Sequence, residues 1–348
     1  MSLRSTVVGK IANAIPVLMG IAACLLPMSS QRANAQPGES PAQLVRRAVQ
    51  NEVSANSGSV HFMFKDRKQT AHLSQTRLIV ETREATAGMT IAQDGHPLTP
   101  PQQQAEEARL DNYVRNPEEL SKKRKQEKDD ADRSARILKA LPDAFLYERD
   151  GTQAGTASVG RAGDELVRLK FRPDPTYVPP TRVEQVLTGM SGHVLIDANE
   201  ARVAEIDGTL QKEVGFGWGI LGHLDRGGRF LVQQADVGER HWEVTKMELS
   251  FTGKILLFRR LNIKSSDVFF DFRKVAADLT FAQGVELLKK EVAQNKSALS
   301  YWERRMNLEW HESGIGRHRH PALAKQATLA QTGESPVTPW SAWVVIRR

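Results

Sequence analysis

The fold is decided by residues 229–272, which read RFLVQQADVGERHWEVTKMELSFTGKILLFRRLNIKSSDVFFDF. Apolar and polar residues alternate with a period of two, the pattern of strands that bury one face. The predicted strands here are Phe230 to Val232, Trp242 to Leu249, Ile255 to Arg260 and Val268 to Phe272. The turn signals Val237-Gly238-Glu239 and Thr252-Gly253-Lys254 separate them at short intervals. Strands arranged in this way form a meander, so we expect one wide antiparallel sheet.

Within Trp242 to Leu249 the alternation slips, which predicts a β-bulge and a strongly curved sheet. Similar alternation elsewhere predicts further strands. They are centred on Phe62 and Phe64, Leu78 and Val80, Met89 to Ala92, Phe145 to Tyr147, Val167 to Phe171, Val194 and Ile196, and Val203 to Ile206. We therefore expect a mainly β, α+β fold: a curved antiparallel sheet or half-open barrel. An amphipathic helix packs on its concave face, and a charged helical insertion interrupts the strands.

Four stretches have the pattern of a helix start, in which a capping residue is followed by Pro, Gln or Glu. They are Ser40-Pro41-Ala42-Gln43, Thr99-Pro100-Pro101-Gln102, Asn116-Pro117-Glu118 and Thr280-Phe281-Ala282-Gln283. The first opens a short amphipathic helix. The second and third open a charged pair that stops at Leu141-Pro142 and has too few apolar residues to be buried except at its end. The fourth opens a long amphipathic helix that is expected to end at Gly314.

The first 35 residues have the pattern of an export signal. Arg4 and Lys10 precede an apolar run from Ile11 to Met28, and Ala33-Asn34-Ala35 offers a small-x-small cleavage site. Cleavage after Ala35 would leave a chain without cysteine. The alternatives are lipidation at Cys24, whose context Ile21-Ala22-Ala23-Cys24 resembles a lipobox, and a retained membrane anchor. The expected location is the periplasm or the outer membrane.

The resulting organisation is a signal peptide over 1–35 and a single β-rich domain over 36–290, with a helical insertion at 100–141. The C-terminal amphipathic helix continues over 291–316, and a disordered tail follows over 317–348. Removing the three basic residues of the first 35 lowers the net charge from +7 to +4. No basic stripe interleaved with aromatic residues is present, so we expect no nucleic-acid partner.

Patterns associated with chemistry are weak. Residues 217–222, GWGILG, have the glycine spacing of a dinucleotide site but lack the surrounding strand-turn-helix unit, so they predict a loop that presents Trp218. Met190-Ser191-Gly192-His193 lacks the glycine spacing of a nucleophile elbow. His311, His318 and His320 form a histidine cluster without further assignable metal ligands. We expect no cofactor, no metal and no enzymatic activity.

The order of elements resembles the periplasmic carriers and outer-membrane receptors of the lipoprotein-localisation system. Closer still is a group of uncharacterised secreted proteins that share several stretches with this chain. These are Leu141-Pro142-Asp143-Ala144-Phe145, Phe171-Arg172-Pro173-Asp174-Pro175-Thr176-Tyr177-Val178-Pro179-Pro180, Met190-Ser191-Gly192 and residues 216–222. The resemblance implies a half-open antiparallel barrel whose helices close over an apolar cavity. The charged insertion and the C-terminal helix have no counterpart in it.

We therefore expect a non-enzymatic envelope protein that binds a lipid or lipoprotein acyl chain, with peripheral membrane contact as a further expectation. A curved sheet with bulky apolar residues on one face either covers that face with its own helices or leaves a cavity. The predicted lining residues are Phe62, Phe64, Leu78, Val80, Trp218, Phe230, Val232, Trp242 and Val244. The alternative is an interaction module with a filled core, whose helices at 101–141 bind an envelope protein. A hydrolase is the third hypothesis.

Overall fold

The computed structural model describes residues 38–55, 60–216, 222–255 and 259–294. Its helices are α1 (Pro41–Ala55), α2 (Pro100–Arg115), α3 (Pro117–Ala144) and α4 (residues 281–294), with a 3-10 helix over Glu184–Gly189. The strands are β1 (His61–Thr70), β2 (Ser74–Val80), β3 (Ala87–Gln93), β4 (His96–Pro97), β5 (Phe145–Ala154), β6 (Glu165–Pro173), β7 (Met190–Asp197), β8 (Arg202–Leu210), β9 (Val214–Phe216), β10 (Gly222–Leu224), β11 (Arg229–Asp236), β12 (Trp242–Ile255) and β13 (Arg259–Val275).

All thirteen strands belong to one antiparallel sheet. Eleven follow each other in the order β4-β3-β2-β1-β13-β12-β11-β8-β7-β6-β5, and β9 and β10 extend the sheet beside β12. Among the described strands, β4 and β5 end this order and β9 is the outer strand of the extension, so the sheet is not closed into a barrel. The predicted α+β class and the wide antiparallel sheet are confirmed, with the charged helices α2 and α3 inserted between β4 and β5.

The predicted bulge in β12 is confirmed. Gln233 of β11 pairs with Lys246, whereas the next residue, Gln234, pairs with Val244, so that Thr245 has no partner in the ladder. The Thr245 hydroxyl instead donates to the carbonyl of Ser158 at 2.7 Å. Bulges bend the strand that contains them and increase its twist.

The four predicted helix starts are also confirmed. In α1, Ser40 N donates to the Gln43 side chain at 2.8 Å and Gln43 N donates back to Ser40 Oγ at 3.3 Å. Asn116 Oδ1 accepts from the amides of Glu118 and Glu119 at the start of α3. These reciprocal contacts satisfy amide donors that the first helical turn leaves without partners.

Two predicted boundaries were wrong. Thr252-Gly253-Lys254 is not a turn but lies within β12, because β10 crosses there so closely that a Cβ on Gly253 would be 2.1 Å from the His223 carbonyl oxygen. The strand predicted over Ile255 to Arg260 is therefore divided between β12 and β13. Helix α3 does not stop at Leu141 but runs past Pro142 to Ala144. A proline in the last turn removes only one backbone hydrogen bond, which the helix tolerates there.

The sheet has an apolar cluster on each face. We call the face on which α1 and the C-terminal part of α3 pack the inner face, and the main cluster lies there. Phe62 and Phe64 of β1 belong to the main cluster. Met63, between them in β1, joins a second cluster with α2 and α4 on the outer face. Only the C-terminal part of α3 is buried in the main cluster, through Ile137, Leu138 and Leu141, as its composition predicted.

Candidate functional site

An apolar crevice lies where α1 and the end of α3 pack on the inner face of the sheet. Its lining comes from two helices and four strands: Val45, Val49, Leu141, Phe145, Tyr147, Phe171, Val194, Val203 and Ile206. The free space inside is about 10 Å³, close to the minimum that holds one water molecule. The helices and the sheet therefore fill this interior almost completely.

Helix α1 can cover the crevice because its apolar residues recur at helical spacing. Leu44, Val45, Ala48 and Val49 form one buried stripe. Residues three and four positions apart lie on the same side of a helix, so the stripe faces the sheet while the arginines of α1 face outward. Burial of this stripe holds α1 in place.

Glu52 continues the buried stripe of α1 as a charged residue. Its carboxylate accepts two hydrogen bonds from the Arg202 guanidinium at 2.7 and 2.8 Å, and a third from the Val203 amide at 3.0 Å. Glu52 is only 3% exposed and Arg202 only 8%. The Arg202 guanidinium also lies 5.6 Å from the ring of Trp242. This pair ties the C-terminal half of α1 to β8.

Further polar contacts hold both ends of α1. Near its C-terminus, the Asn51 amide donates to the carbonyls of Glu200 and Ala201 at 3.0 and 3.2 Å. Near its N-terminus, Arg46 pairs with Asp143 of α3 at 2.5 Å. All of these polar contacts lie outside the lining of the crevice, so α1 is held by polar groups around an apolar contact.

One lining residue carries a polar group. The Tyr147 hydroxyl donates to the Leu141 carbonyl at 2.8 Å. Burial, with a smaller contribution from Asp143, raises the pKa of Tyr147 above its ordinary range. The phenol therefore stays neutral at physiological pH, and the crevice carries no charge.

The predicted lining residues do not share one face. Four of them belong to the main cluster, namely Phe62, Phe64, Phe230 and Val232. Val244 is partly buried and packs against this cluster. Leu78 and Val80 lie on the outer face instead, because the β1–β2 register places Val80 beside Met63 and Ile79 beside Phe64. Trp242 belongs to a third cluster with Leu166, Leu195 and Ala204. None of the predicted lining residues that the structure describes lines the small crevice itself.

The crevice could have been found in part from the sequence. Glu52 follows Val49 by three positions and therefore lies on the apolar stripe of α1, where a charge requires a buried partner. That spacing is the available signal. Arg202 gives no such signal. It lies 150 positions after Glu52 in the chain, and the two meet because α1 packs against the sheet.

Two buried carboxylates occupy the inner face beyond Phe64. Asp66 is 6% exposed and Asp267 is 3% exposed, and each has one buried oxygen without a hydrogen-bond partner. Asp66 pairs in register with Arg77, and Lys68 lies 3.4 Å from Asp267. Burial and the nearby negative charge of Asp267 raise the pKa of Asp66 to about 6. Burial also raises the pKa of Asp267, against the attraction of Lys68 and Arg77.

Among the described residues, one group of side chains has spacing suited to a metal ion. His223 Nε2 lies 3.3 Å from Asp225 Oδ1 and 4.0 Å from Glu213 Oε2. The His223 position of β10 pairs directly with Lys254 of β12, so a fixed positive charge is adjacent to the group. We interpret the three residues as a surface ion-pair cluster.

Several predicted positions lie outside the described residues: Cys24, Trp218, His311, His318 and His320. The signal peptide, the continuation of the last helix beyond residue 294 and the C-terminal tail also lie outside them. Within the part of the chain that the structure describes, no helix combines the length and the apolar composition needed to cross a bilayer.

The chain matches no protein-family model, no curated protein and no solved structure. Its function must therefore be inferred from the residues and contacts described above.

Proposed function

We propose that this is an exported envelope protein that binds an acyl chain, free or attached to a lipid or lipoprotein, between α1 and the inner face of the sheet. The observation that supports this is the crevice, which is lined by apolar side chains and carries no charge. Ligand sites of this kind are lined mainly by hydrophobic and aromatic residues.

Binding requires α1 to move away from the sheet. Sites for small molecules occupy about 300–1,000 Å³, far more than the space present. Removing α1 exposes Leu44, Val45 and Val49, at about 1.5–3 kcal/mol for each side chain. An acyl chain regains about 0.8 kcal/mol for each CH₂ that it buries, so roughly six to eleven methylene groups offset the exposure. In the described structure α1 lies closed on the sheet.

The contacts at the ends of α1 suit such a movement. Glu52 and Arg202 are exposed to water when α1 leaves, so neither charge stays buried without its partner. Helix α3 keeps its own contacts with the sheet through Ile137 and Leu138, and serves as the fixed wall.

The test combines two measurements on the protein expressed from its whole sequence. Lipids extracted from the purified protein are identified by mass spectrometry, and binding of a dansyl-labelled fatty acid is titrated by fluorescence. Val49→Phe places a larger side chain in the crevice and should abolish dansyl binding. Val285→Phe is the matched control, because Val285 is equally buried but lies in the second cluster.

Both substitutions overfill a packed region, at about 1–3 kcal/mol, so equal losses of stability are expected. Loss of binding only in Val49→Phe supports the proposal. A folded wild-type protein that neither carries lipid nor binds the labelled fatty acid refutes it.

A second candidate, the interaction module with a filled core, is favoured by the small volume of the crevice. Helix α3 would then provide the contact surface, since Lys122, Lys125 and Lys128 are all well exposed there. Deleting the insertion would be uninformative, because Leu110 and Leu138 are buried. Replacing the three lysines by glutamate leaves the core intact; if this releases an envelope partner in a pull-down while lipid binding is absent, the second candidate is correct.

A further inference from the structure

The outer face of β12 and β13 carries an excess of positive charge. Lys254 on β12, Arg260 and Lys264 on β13, and Arg67 on the adjacent part of β1 are exposed on this face. Within the described ranges, none of these four side chains lies within ion-pair distance of a carboxylate; the carboxylates of Asp225 and Glu213, near Lys254, contact His223 instead. We call these four residues the basic face.

The placement of the four cations follows from the strand register. Leu261, Ile263 and Phe269 of β13 pack in the main cluster on the inner face. Successive side chains of a strand point to opposite faces, so Arg260 and Lys264 point outward. The same alternation, with Leu249 and Phe251 inside, directs Lys254 outward on β12.

The sheet places two of these charges directly opposite each other. Lys254 and Arg260 are paired residues of the β12–β13 ladder. Like charges in such a position destabilise a sheet. Elsewhere on the same face, cations have partners: Lys246 pairs with Glu248 at 2.7 Å and Lys65 with Asp271 at 2.7 Å. An anionic partner would remove the repulsion at Lys254 and Arg260.

Apolar side chains are exposed among these cations. Val268 is 38% exposed and is the direct partner of Arg67 across the β1–β13 ladder. The half-buried ring of Phe270 lies 5.3 Å from the Arg67 guanidinium and 5.8 Å from Lys65 Nζ. Exposed apolar groups surrounded by Lys and Arg are typical of surfaces that rest on the headgroup region of an anionic membrane.

We propose that the basic face is a docking surface for a membrane that contains anionic phospholipids. Val268 and Phe270 contact the headgroup region, and the four cations pair with lipid phosphates. The proposal is independent of the apolar crevice, since docking involves the outer face of the sheet and ligand binding the inner face.

The test is co-sedimentation of the protein, expressed from its whole sequence, with vesicles of phosphatidylcholine alone or containing roughly one third phosphatidylglycerol. The variant Lys254→Gln, Arg260→Gln, Lys264→Gln removes three charges of the basic face. Each cation near an anionic surface contributes about five-fold to binding, so the triple variant should bind anionic vesicles roughly 100-fold more weakly.

The matched control is Arg136→Gln, Lys139→Gln, Arg172→Gln, which changes the net charge equally at exposed side chains outside the basic face. We expect its vesicle binding to stay within about two-fold of wild type. The variant Lys254→Arg, Arg260→Lys, Lys264→Arg changes the same side chains but keeps their charge, so it should bind like wild type. This result would show that the glutamine triple loses binding through lost charge and not through misfolding.

Three results would overturn the proposal. The two glutamine triples could weaken binding equally, which would show an effect of net charge alone. The basic-face triple could bind like wild type. The wild-type protein could bind heparin or single-stranded DNA but not anionic vesicles, which would assign the face to another polyanion.

Discussion

Replacing Asp66 by Asn should make the protein more stable at neutral pH, although it removes a buried charged group. Asp66 is 6% exposed, and one of its carboxylate oxygens has no hydrogen-bond partner. Burial first, and the negative charge of Asp267 second, raise its pKa to about 6, while Arg77 and Lys68 partly oppose the change. An aspartate in an unfolded chain has a pKa of about 3.9, and the difference corresponds to about 3 kcal/mol.

The sign of the effect follows from proton binding. Below pH of about 4 the carboxyl is protonated in both states and costs nothing. Between about pH 4 and 6 the folded state keeps the proton that the unfolded state loses, so the free energy of unfolding falls as the pH rises. Above about pH 6 the full cost, about 3 kcal/mol, is present. Asp66→Asn removes this cost, so its advantage over wild type should grow from near zero at pH 4 to about 3 kcal/mol at pH 7.5.

The assay is urea unfolding of both proteins, followed by circular dichroism at intervals from pH 4 to pH 8. Asp271→Asn is the matched control, because Asp271 is an exposed carboxylate in the neighbouring strand that pairs with Lys65. A surface pair of this kind contributes at most about 1 kcal/mol, so this variant should follow wild type closely. A constant difference between Asp66→Asn and wild type across the whole pH range would refute the reasoning.

Three further predictions concern single contacts, each measured by urea unfolding at pH 7. Arg202→Met leaves the Glu52 carboxylate buried without its ion-pair partner and should lower the free energy of unfolding by about 3–5 kcal/mol; Glu52→Leu in the same chain should restore most of it, and failure to do so would contradict this account. Asn116→Ala removes the cap of α3 and should cost about 1 kcal/mol, whereas Asn116→Asp should retain it. Gly192→Ala places a Cβ at 1.8 Å from the Asp207 carbonyl oxygen and should cost about 3 kcal/mol; a loss below about 1 kcal/mol would show that β7 and β8 separate more easily than the packing suggests.

The elements of the fold were predictable because they depend on local signals. The capping residues Ser40, Thr99, Asn116 and Thr280 each precede a helix, and the slip in alternation marked the bulge at Thr245. A capping hydrogen bond and a bulge each leave their trace within a few residues of sequence.

The faces of the sheet were harder to predict because they depend on register between strands. Val80 alternates like a residue of the inner face, but its pairing with Met63 places it on the outer face. Gly253 was predicted to lie in a turn but lies within β12, where β10 approaches closely. Glycine is favoured both in turns and where two backbones approach closely, so its presence does not identify which of the two occurs. A sequence read one segment at a time does not distinguish these cases.

The crevice could be predicted only as a general property, an apolar face covered by helices. Its lining combines residues from α1, α3 and strands β5 to β8, which are far apart in the sequence. Which side chains meet is decided by where α1 crosses the sheet, and the charged pair Glu52 and Arg202 contributes to that position.

The pairing of β1 with β13 has a consequence for the order of folding. Strand β1 lies between β2 and β13, and Lys65 contacts Asp271, a residue 206 positions later in the chain. The block β1–β4 therefore joins the remaining strands only through the last strand of the sheet. Contacts of such high sequence separation slow folding. A chain synthesised from its N-terminus keeps β1 with an open edge until β13 has emerged. During this period a chaperone that covers exposed strand edges would protect it from pairing with other chains.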